Sequence, residues 1–269
     1  MNILQIHENY KHGGGAETYF FSLCNELSKH NKVFIYSIDK NDNIRNEEKF
    51  IYRIPDNRIK RFFYSYFNFH LYIEFRRWLR LIKPDVAHLH LISEYNTTIL
   101  LALRKEKIPI VQTVHDFGIV CPTTWCIRKN KVCSGGIGLK CINSWCREIG
   151  YYGKKSYSFI LFCGLREKIK DYLNKRYVNF FICPSNALKD KMLENKFGNI
   201  VYLSNFTNKK YKKDSVDSKQ KNILYVGALT EQKGINYLIK AFKRVLEKVP
   251  GARLKIVGED PKNSIKENN

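Results

Sequence analysis

The chain has 269 residues, enough for two ordinary domains, and 44% of them are hydrophobic, as expected of a globular protein. No apolar run approaches the ~18–20 residues of a transmembrane helix, and nothing at the start is typical of a secretory signal, so we expect a cytoplasmic protein. The net charge of +22 favours an anionic partner such as a phosphorylated substrate, an anionic lipid surface or nucleic acid, although a generally lysine-rich proteome is an alternative explanation.

Short apolar strands alternate with amphipathic helices along the first 206 residues. The predicted strands are Asn2–Ile6, Val33–Ser37, Ile51–Ile54, Val86–Leu91, Ile110–Val114, Phe180–Cys183 and Ile200–Leu203. The predicted helices are Ala16–His30, one or two helices in Lys60–Ile82, Asn96–Lys105, Lys154–Tyr177 and Ser185–Asn195. This alternation predicts an α/β fold with a mostly parallel sheet, and such sheets bind ligands beyond the carboxyl ends of their strands.

The first loop at such a strand end is Asn9–Gly15, which finishes with three consecutive glycines. Glycines let the backbone approach a ligand closely, and the helix that follows presents its positive N-terminus, so the loop is a candidate anion site. A tight strand-to-helix turn without a ligand is the alternative. The spacing is not that of the dinucleotide fingerprint, because no glycine stands at 17 or 18.

His115 and Asp116 directly follow the strand Ile110–Val114. A histidine at the carboxyl end of a strand suits a sugar hydroxyl or a phosphate, or acid–base chemistry. A buried histidine with its hydrogen bonds satisfied is the alternative, and His88 and His90, inside a predicted strand, fit that alternative better.

Five of the eight cysteines fall in a predicted irregular insertion at residues 117–150. They are Cys121, Cys126, Cys133, Cys141 and Cys146. A thiolate zinc site would hold such a loop together, but no pair has the C-x2-C spacing, so partly packed thiols are the alternative. Cys24, Cys163 and Cys183 lie in apolar elements and are expected in the core.

Residues 60–83 mix aromatic side chains with lysine and arginine. Basic amphipathic helices of this kind bind anionic membrane surfaces, and the same mixture can stack on single-stranded nucleic acid. A third interpretation is an ordinary core helix whose solvent-exposed side is basic.

A polar, charged linker is predicted at residues 207–221, and a βαβ unit follows. Ile223–Val226 is its first strand, Asn236–Val249 its helix and Leu254–Val257 its second strand. The loop between strand and helix carries Lys233, and a lysine next to a helix N-terminus favours an anion.

Several segments, in this order, resemble one known family. They are HGGGAETYFFSLCNEL at 12–27, KPDVAHLH at 83–90, VHDFGIVCP at 114–122, ICPSNALKDKM at 182–192, YLSNFTN at 202–208 and YVGALTEQKGINYLIKAFKRVLEKVPGARLKIVGEDP at 225–261. Together they are similar to family 4 retaining glycosyltransferases of the GT-B fold, in which two Rossmann-like domains face each other across a cleft. The resemblance covers nearly the whole chain.

The resemblance implies a role for four residues. The amides of Gly14 and Gly15 would contact the diphosphate of a nucleotide diphosphate sugar, the donor substrate. His115 would contact the donor sugar near its anomeric carbon. Lys233 would pair with the donor phosphates and stabilise the leaving diphosphate, so that no metal is required.

Two departures from the family pattern concern the second domain. Ala228 stands where the family often has an arginine on the phosphates. Glu259 and Glu267 have the spacing of the family's Glu-x7-Glu pair, but they come too early in the fold to be that pair. We therefore expect an acceptor-side Rossmann-like domain at 1–206 and an incomplete nucleotide-sugar-binding domain at 222–269.

Two functions follow from this pattern. The first is retaining transfer of a sugar to a polysaccharide or lipid-linked acceptor in cell-surface glycan synthesis, at the inner face of the plasma membrane. The second is an inactive remnant, or half of a split enzyme, that binds acceptor or membrane and is completed by a second chain. Nucleic-acid binding has no matching motif.

Overall fold

The computed structural model describes residues 1–10, 14–39, 44–92, 95–128, 131–138, 141, 157–206, 221–230 and 233–259. The chain forms two compact units, residues 1–208 and 209–269, and each is described by itself. The predicted linker lies almost entirely outside the described residues, so the domain boundaries at 206 and 222 stay a prediction.

The first unit is built on an eight-stranded sheet in the order β10-β9-β6-β5-β1-β2-β4-β3. The strands are β1 Asn2–Asn9, β2 Lys32–Asp39, β3 Ile44–Arg45, β4 Lys49–Arg53, β5 Val86–Leu89, β6 Ile110–Thr113, β9 Phe180–Cys183 and β10 Ile200–Tyr202, while β7 Ile127–Arg128 and β8 Lys131–Val132 form a separate hairpin. All pairs in the large sheet are parallel except β3 with β4. The parallel α/β architecture predicted from the alternating pattern is confirmed.

Six helices connect the described strands of this unit. They are α1 Gly15–Leu27, α2 Arg58–Tyr64, α3 Phe69–Ile82, α4 Asn96–Lys105, α5 Tyr157–Tyr177 and α6 Asn186–Glu194. Three of them have an N-cap side chain that accepts hydrogen bonds, because the first amides of a helix have no acceptor within the helix. Asn57 accepts from two amides of α2, Asn68 from the Leu71 amide in α3, and Ser185 from the Leu188 amide in α6.

The core lies between the sheet and the apolar sides of its helices. Strand β1 buries Leu4 and Ile6 completely, and α3 packs Phe75 against Tyr36 and Phe50 at ring-centroid distances of 4.8 and 5.8 Å. Edge-to-face aromatic contacts of this kind stabilise the core beyond the burial of apolar area. Cys24, Cys163 and Cys183 are buried, as expected for core cysteines.

The aromatic segment 60–83 divides into two helices with different environments. Helix α3 buries five side chains, Leu71, Phe75, Trp78, Leu79 and Ile82, and is a core helix with a basic outer side. Two of its cations share one carboxylate, because Arg76 and Arg80 both bind Glu106, at 2.6 and 3.1 Å. Helix α2 buries none of its residues.

The second unit is a βαβ arrangement of β11 Asn222–Val226, α7 Ile235–Lys248 and β12 Arg253–Val257, with the two strands parallel. Its strands stay open to solvent: Leu224 is 63% and Val226 71% exposed. Gly234 precedes α7 with φ of +72°, a left-handed conformation that favours glycine.

Some local predictions differ from the structure. Strand β1 continues to Asn9 instead of ending at Ile6, because Glu8 still donates its amide to Leu91 O, at 2.8 Å. The insertion contains the β7–β8 hairpin, which has too few residues for an alternating pattern to be visible. Among the described residues, no helix is both long and apolar enough to cross a bilayer.

Candidate functional site

Three neighbouring parallel strands bring histidines to one edge of the sheet. His7 lies near the end of β1, His90 follows β5, and His115 follows β6. Strand β5 lies between β1 and β6, so the three carboxyl ends are adjacent. The amino end of α1, with Gly14 and Gly15, begins at the same edge, where parallel sheets bind ligands.

A chain of hydrogen bonds fixes the ring of His115. The side-chain oxygen of Gln5, fully buried in β1, lies 2.9 Å from His90 Nε2, and His90 Nδ1 lies 3.1 Å from His115 Nε2. Since an amide oxygen only accepts, His90 carries its proton on Nε2 and accepts at Nδ1. His115 must then donate from Nε2, which leaves its Nδ1 as a hydrogen-bond acceptor.

Gln5 also orders a second branch of this network. Its amide nitrogen donates to His88 Nδ1 at 3.4 Å, and His88 Nε2 donates to the Thr113 hydroxyl at 2.8 Å. Both ring nitrogens of His88 and of His90 thus have partners, as expected for satisfied buried histidines. His90 has a further role, because one of its partners is His115.

The histidines of this network are neutral at pH 7. Burial, followed by the neighbouring His115, lowers the pKa of His88 to about 4. Burial and then His7 lower the pKa of His115 to about 4. Burial, followed by His88 and His115, lowers the pKa of His90 well below its ordinary value. A neutral His115 offers a lone pair to a sugar hydroxyl but no positive charge to a phosphate.

The carboxylate of Glu17 occupies the start of α1. It accepts from the Gly14 amide at 2.8 Å and from the Asn9 side chain at 3.2 Å. Burial alone would raise the pKa of Glu17, but these bonds and its own backbone amide lower it. A diphosphate oxygen would have to displace Glu17 to bind the Gly14 amide. Around Gly15 the space is open, and the diphosphate role of both glycines stays a prediction.

Beside His115 lies a cavity of about 250 Å³. One side of it is formed by the segment after β6, where the Asp116 carboxylate accepts from the Gly118 amide at 2.7 Å and burial raises its pKa. The other side is α5, which contributes Glu167, Lys170, Asp171 and Asn174. The sequence analysis missed these four residues, although their spacing of three, four and seven places them on one side of a helix.

The cysteines of the insertion do not converge on one point in the described part of the chain, where no three His, Cys, Asp or Glu side chains could hold a metal ion. The buried thiols of Cys121 and Cys126 pair with each other, and a hydrogen bond from Cys126 lowers the pKa of Cys121 to about 5. Cys133 donates its amide to Cys126 O at 2.7 Å, and Cys141 donates its thiol to Gly136 O. Cys146 lies outside the described residues, and zinc stays a prediction.

Lys233 belongs to the second unit. Its amide donates to Thr230 O at 3.0 Å in the exposed loop between β11 and α7. It directly precedes Gly234, the N-cap of α7, so its charge lies at the positive end of that helix. Its phosphate role stays a prediction, as does the reading of Glu259 and Glu267, since Glu267 lies outside the described residues.

Comparisons with known proteins agree with the sheet topology. The family model described as Glycosyltransferase Family 4 matches residues 13–210, and the model described as Glycosyl transferases group 1 matches residues 206–268. No curated protein matches. Similar solved structures include UDP-GlcNAc 2-epimerases from Methanocaldococcus jannaschii (12% identity, TM-score 0.51) and Neisseria meningitidis, the latter bound to UDP-GlcNAc (12%, 0.52). An alpha-glucosyltransferase in complex with UDP and DNA is also similar (11%, 0.51).

These solved structures match nearly all of this chain, 97%, 98% and 95%, whereas the chain covers 66%, 67% and 55% of theirs. At such low sequence identity, the structural similarity is evidence for the fold alone. The GT-B type architecture expected from the sequence, with an N-terminal Rossmann-like domain and the first βαβ portion of a second, is confirmed.

Proposed function

The chain belongs to glycosyltransferase family 4, and we propose that it moves a sugar from a nucleotide diphosphate sugar to a polysaccharide or lipid-linked acceptor. The anomeric configuration is retained, and the product serves cell-surface glycan synthesis. In the reaction an acceptor oxygen bonds to the anomeric carbon, the bond to the diphosphate oxygen breaks, and the acceptor proton is released.

The observation that carries this proposal is the ordered, neutral His115 at the carboxyl edge of the sheet. Its free Nδ1 accepts a hydrogen bond from a hydroxyl of the donor sugar. Lys233, at the start of α7, stabilises the charge that develops on the leaving diphosphate.

A transfer assay on the full chain tests this function. Nucleoside diphosphate release is measured with uridine and guanosine diphosphate sugars and with lipid-linked or polysaccharide acceptors. The anomeric configuration of the product is read by NMR, and inversion would contradict the proposal. His115→Ala should lower kcat/KM by about tenfold to a hundredfold, since a hydrogen bond to the substrate is lost. His70→Ala is the matched control, because His70 is an exposed histidine on α3 that pairs with Glu74.

The open strands of the second unit favour one alternative, a non-catalytic module that binds acceptor or membrane and is completed by a second chain. Calorimetric titration with the same donor sugars distinguishes the enzyme from the non-catalytic module. Micromolar donor binding by this chain alone supports the enzyme. Absence of both binding and release supports the module.

We also propose that the protein binds the cytoplasmic face of the plasma membrane through helix α2 and the start of α5. Phe63 and Ile59 on α2 are mostly exposed, and the half-exposed Phe162 on α5 has its ring 6.5 Å from that of Phe62. Arg58 and Lys60 lie on the same short helix. Exposed aromatic side chains next to cations suit an anionic lipid surface.

Sedimentation with anionic liposomes tests this surface. The chain should pellet at low salt and be released as salt screens the lysines and arginines. Phe63→Ser should weaken binding, whereas Leu81→Ser, an equally exposed apolar residue at the far end of α3, should not. Equal loss in both variants would show that the binding is not localised to this surface.

A further inference from the structure

One sulfur atom in the segment after β6 is surrounded by hydrogen-bond donors. The Sγ atom of Cys121 accepts from the Cys126 thiol and from the backbone amides of Thr123 and Cys126. The Thr123 hydroxyl lies 3.2 Å from the same sulfur. A neutral thiol is a weak acceptor, whereas several donors stabilise a thiolate, so this arrangement favours the anionic form of Cys121.

The charge of Cys121 differs from that of two cysteines in the core. The hydrogen bond from Cys126 lowers the pKa of Cys121 to about 5, against the opposing effect of burial. Burial raises the pKa of Cys24 to about 12 and the pKa of Cys183 to about 11. At pH 7 Cys121 is therefore a thiolate, while Cys24 and Cys183 are thiols. Only the thiolate is a good nucleophile.

Cys126 is the complementary partner of this thiolate. Its hydrogen bond to Cys121, followed by burial, raises the pKa of Cys126, so it keeps the proton that it donates. Backbone hydrogen bonds hold both cysteines in place: the Cys121 amide donates to Phe117 O at 2.8 Å, and Cys126 O accepts from the Cys133 amide at 2.7 Å. A thiolate beside a protonated thiol is the arrangement of a reactive cysteine and its resolving cysteine.

The loop between the two cysteines has an uncommon backbone. Thr124 and Cys126 have φ angles of +63° and +50°, in the left-handed region that favours glycine. Such residues persist where the surrounding structure fixes them, and they are frequent at functional sites. Pro122 and Thr124 of this loop also line the cavity beside His115. A bond between the two sulfurs would therefore fix one wall of that cavity.

The surroundings of the pair favour a small oxidant over a metal ion. Among the described residues no three His, Cys, Asp or Glu side chains could hold a metal ion, so the pair lacks the further ligands of a tetrahedral zinc site there. Cys121 is 5% and Cys126 3% exposed. So little exposed surface admits a molecule of nearly the size of water more readily than a bulky disulfide.

We propose that Cys121 and Cys126 form a peroxide-sensitive dithiol that is oxidised reversibly to a disulfide. The Cys121 thiolate attacks one oxygen of hydrogen peroxide, the O–O bond breaks and hydroxide leaves, so Cys121 becomes a sulfenic acid. The Cys126 sulfur then attacks the Cys121 sulfur, and its proton leaves with the sulfenic hydroxyl as water. Two electrons pass from the two sulfurs to the peroxide, and a dithiol reductant reverses the change.

Peptide mass spectrometry on the full chain tests this modification. The reduced protein is treated with hydrogen peroxide at pH 7, remaining thiols are blocked in denaturant, and trypsin cuts after Lys107 and Arg128. The peptide between these sites contains Cys121 and Cys126 and no other cysteine. We expect it to be unblocked and lighter by two hydrogen atoms, and to be restored by dithiothreitol. Cys121 should react about tenfold faster than Cys24 or Cys183, since its larger thiolate fraction outweighs its lower intrinsic nucleophilicity.

Single substitutions separate the two roles. Cys126→Ser should stop the reaction at the sulfenic acid of Cys121, which dimedone traps, whereas Cys121→Ser should leave Cys126 reduced. Cys133→Ser is the matched control, because Cys133 is a half-buried cysteine of the same insertion, and it should still form the disulfide. The melting temperature of each variant shows whether it is folded, and the measurement on the unsubstituted chain depends on no variant.

A peptide that stays reduced under peroxide would overturn the proposal, as would a disulfide between Cys126 and Cys133. Zinc in the purified chain that protects Cys121 and Cys126 from peroxide would also overturn it, because the thiols would then be metal ligands. The test needs neither donor nor acceptor sugar, so its outcome is independent of the proposed transfer.

Discussion

The two units of this protein differ most in the solvent exposure of the apolar residues on their strands. In the first unit Leu4 and Ile6 of β1 are fully buried, whereas in the second Leu224 and Val226 of β11 are mostly exposed. Parallel strands normally have both faces covered, and a two-stranded sheet with one helix covers little. The segment with the closest resemblance to its family therefore lies on the unit with the least core. A recognisable motif and a stable fold are separate properties of a sequence.

The units differ in their ionisable groups as well. All seven histidines precede residue 209, and three of them, His88, His90 and His115, belong to the hydrogen-bond network at the sheet edge. The second unit offers the exposed Lys233 instead. The first unit therefore holds buried, neutral imidazoles, and the second an exposed cation.

The largest expected difference between the units is their response to acid. Burial lowers the pKa values of His88 and His115 to about 4 in the folded protein, below their ordinary 6.5. Between these values the unfolded chain binds more protons, so stability is complete above about pH 6.5 and falls as the pH drops towards 4. At ~1.4 kcal/mol per pKa unit, the loss is on the order of 5 kcal/mol. Urea unfolding followed by tryptophan fluorescence at pH 7 and 4.5 measures it, since all three tryptophans precede residue 209. A flat profile would contradict the buried, neutral network.

Substitutions of apolar residues should also have different effects on stability in the two units. Phe75→Ala removes a fully buried ring and should cost about 3–5 kcal/mol of unfolding free energy. Leu224→Ala, at a mostly exposed position, should cost less than about 1 kcal/mol. Both are measured by urea unfolding at pH 7. A similar cost for Leu224→Ala would mean that β11 is covered by another surface in solution.

Lys233 should matter for transfer and not for stability. Lys233→Ala should lower kcat by about 10²–10³-fold, the typical cost of losing a group that stabilises transition-state charge, with melting unchanged. Lys240→Ala, at another exposed lysine, on α7, is the control. Partial recovery in Lys233→Arg would support a charge effect, and full activity in Lys233→Ala would exclude it.

The smallest expected effect belongs to Gln5, a positioning residue. Gln5→Met leaves His90 without the bond that fixes its proton and should cost about 1–3 kcal/mol of stability. It should also lower kcat/KM by about tenfold, because His115 no longer holds one tautomer. Nitrogen NMR of the histidine rings detects the mixed tautomers directly. Thr113→Val removes only the partner of His88 and should leave His115 unchanged.

Much of the fold could be predicted from periodicity alone. The apolar runs and amphipathic helices gave the parallel α/β architecture, because burying apolar area dictates both patterns. The hairpin Ile127–Arg128 with Lys131–Val132 could not be found, since two-residue strands carry no period. The end of β1 was misplaced because His7 and Asn9 look like loop residues, although His7 is buried.

The candidate site was predicted only in part. His115 could be named, since it directly follows an apolar strand in a segment that resembles the family. Lys170 and Asn174, on the α5 side of the cavity, could not, because a polar residue in a helix does not reveal what its side chain faces. Glu17 could be placed in the first turn of α1, but its bond to the Gly14 amide depends on the loop conformation.

The sequence by itself determined the family, the alternation of strands and helices, and the charge of the chain. All three are local or additive properties, which neighbouring residues express without knowledge of the fold. Only the tertiary structure decided that hydrogen bonds link Gln5, His90 and His115 and that α5 forms one side of the cavity beside His115. Those facts depend on residues up to 85 positions apart meeting where strands end, and on burial, which sets the pKa values there.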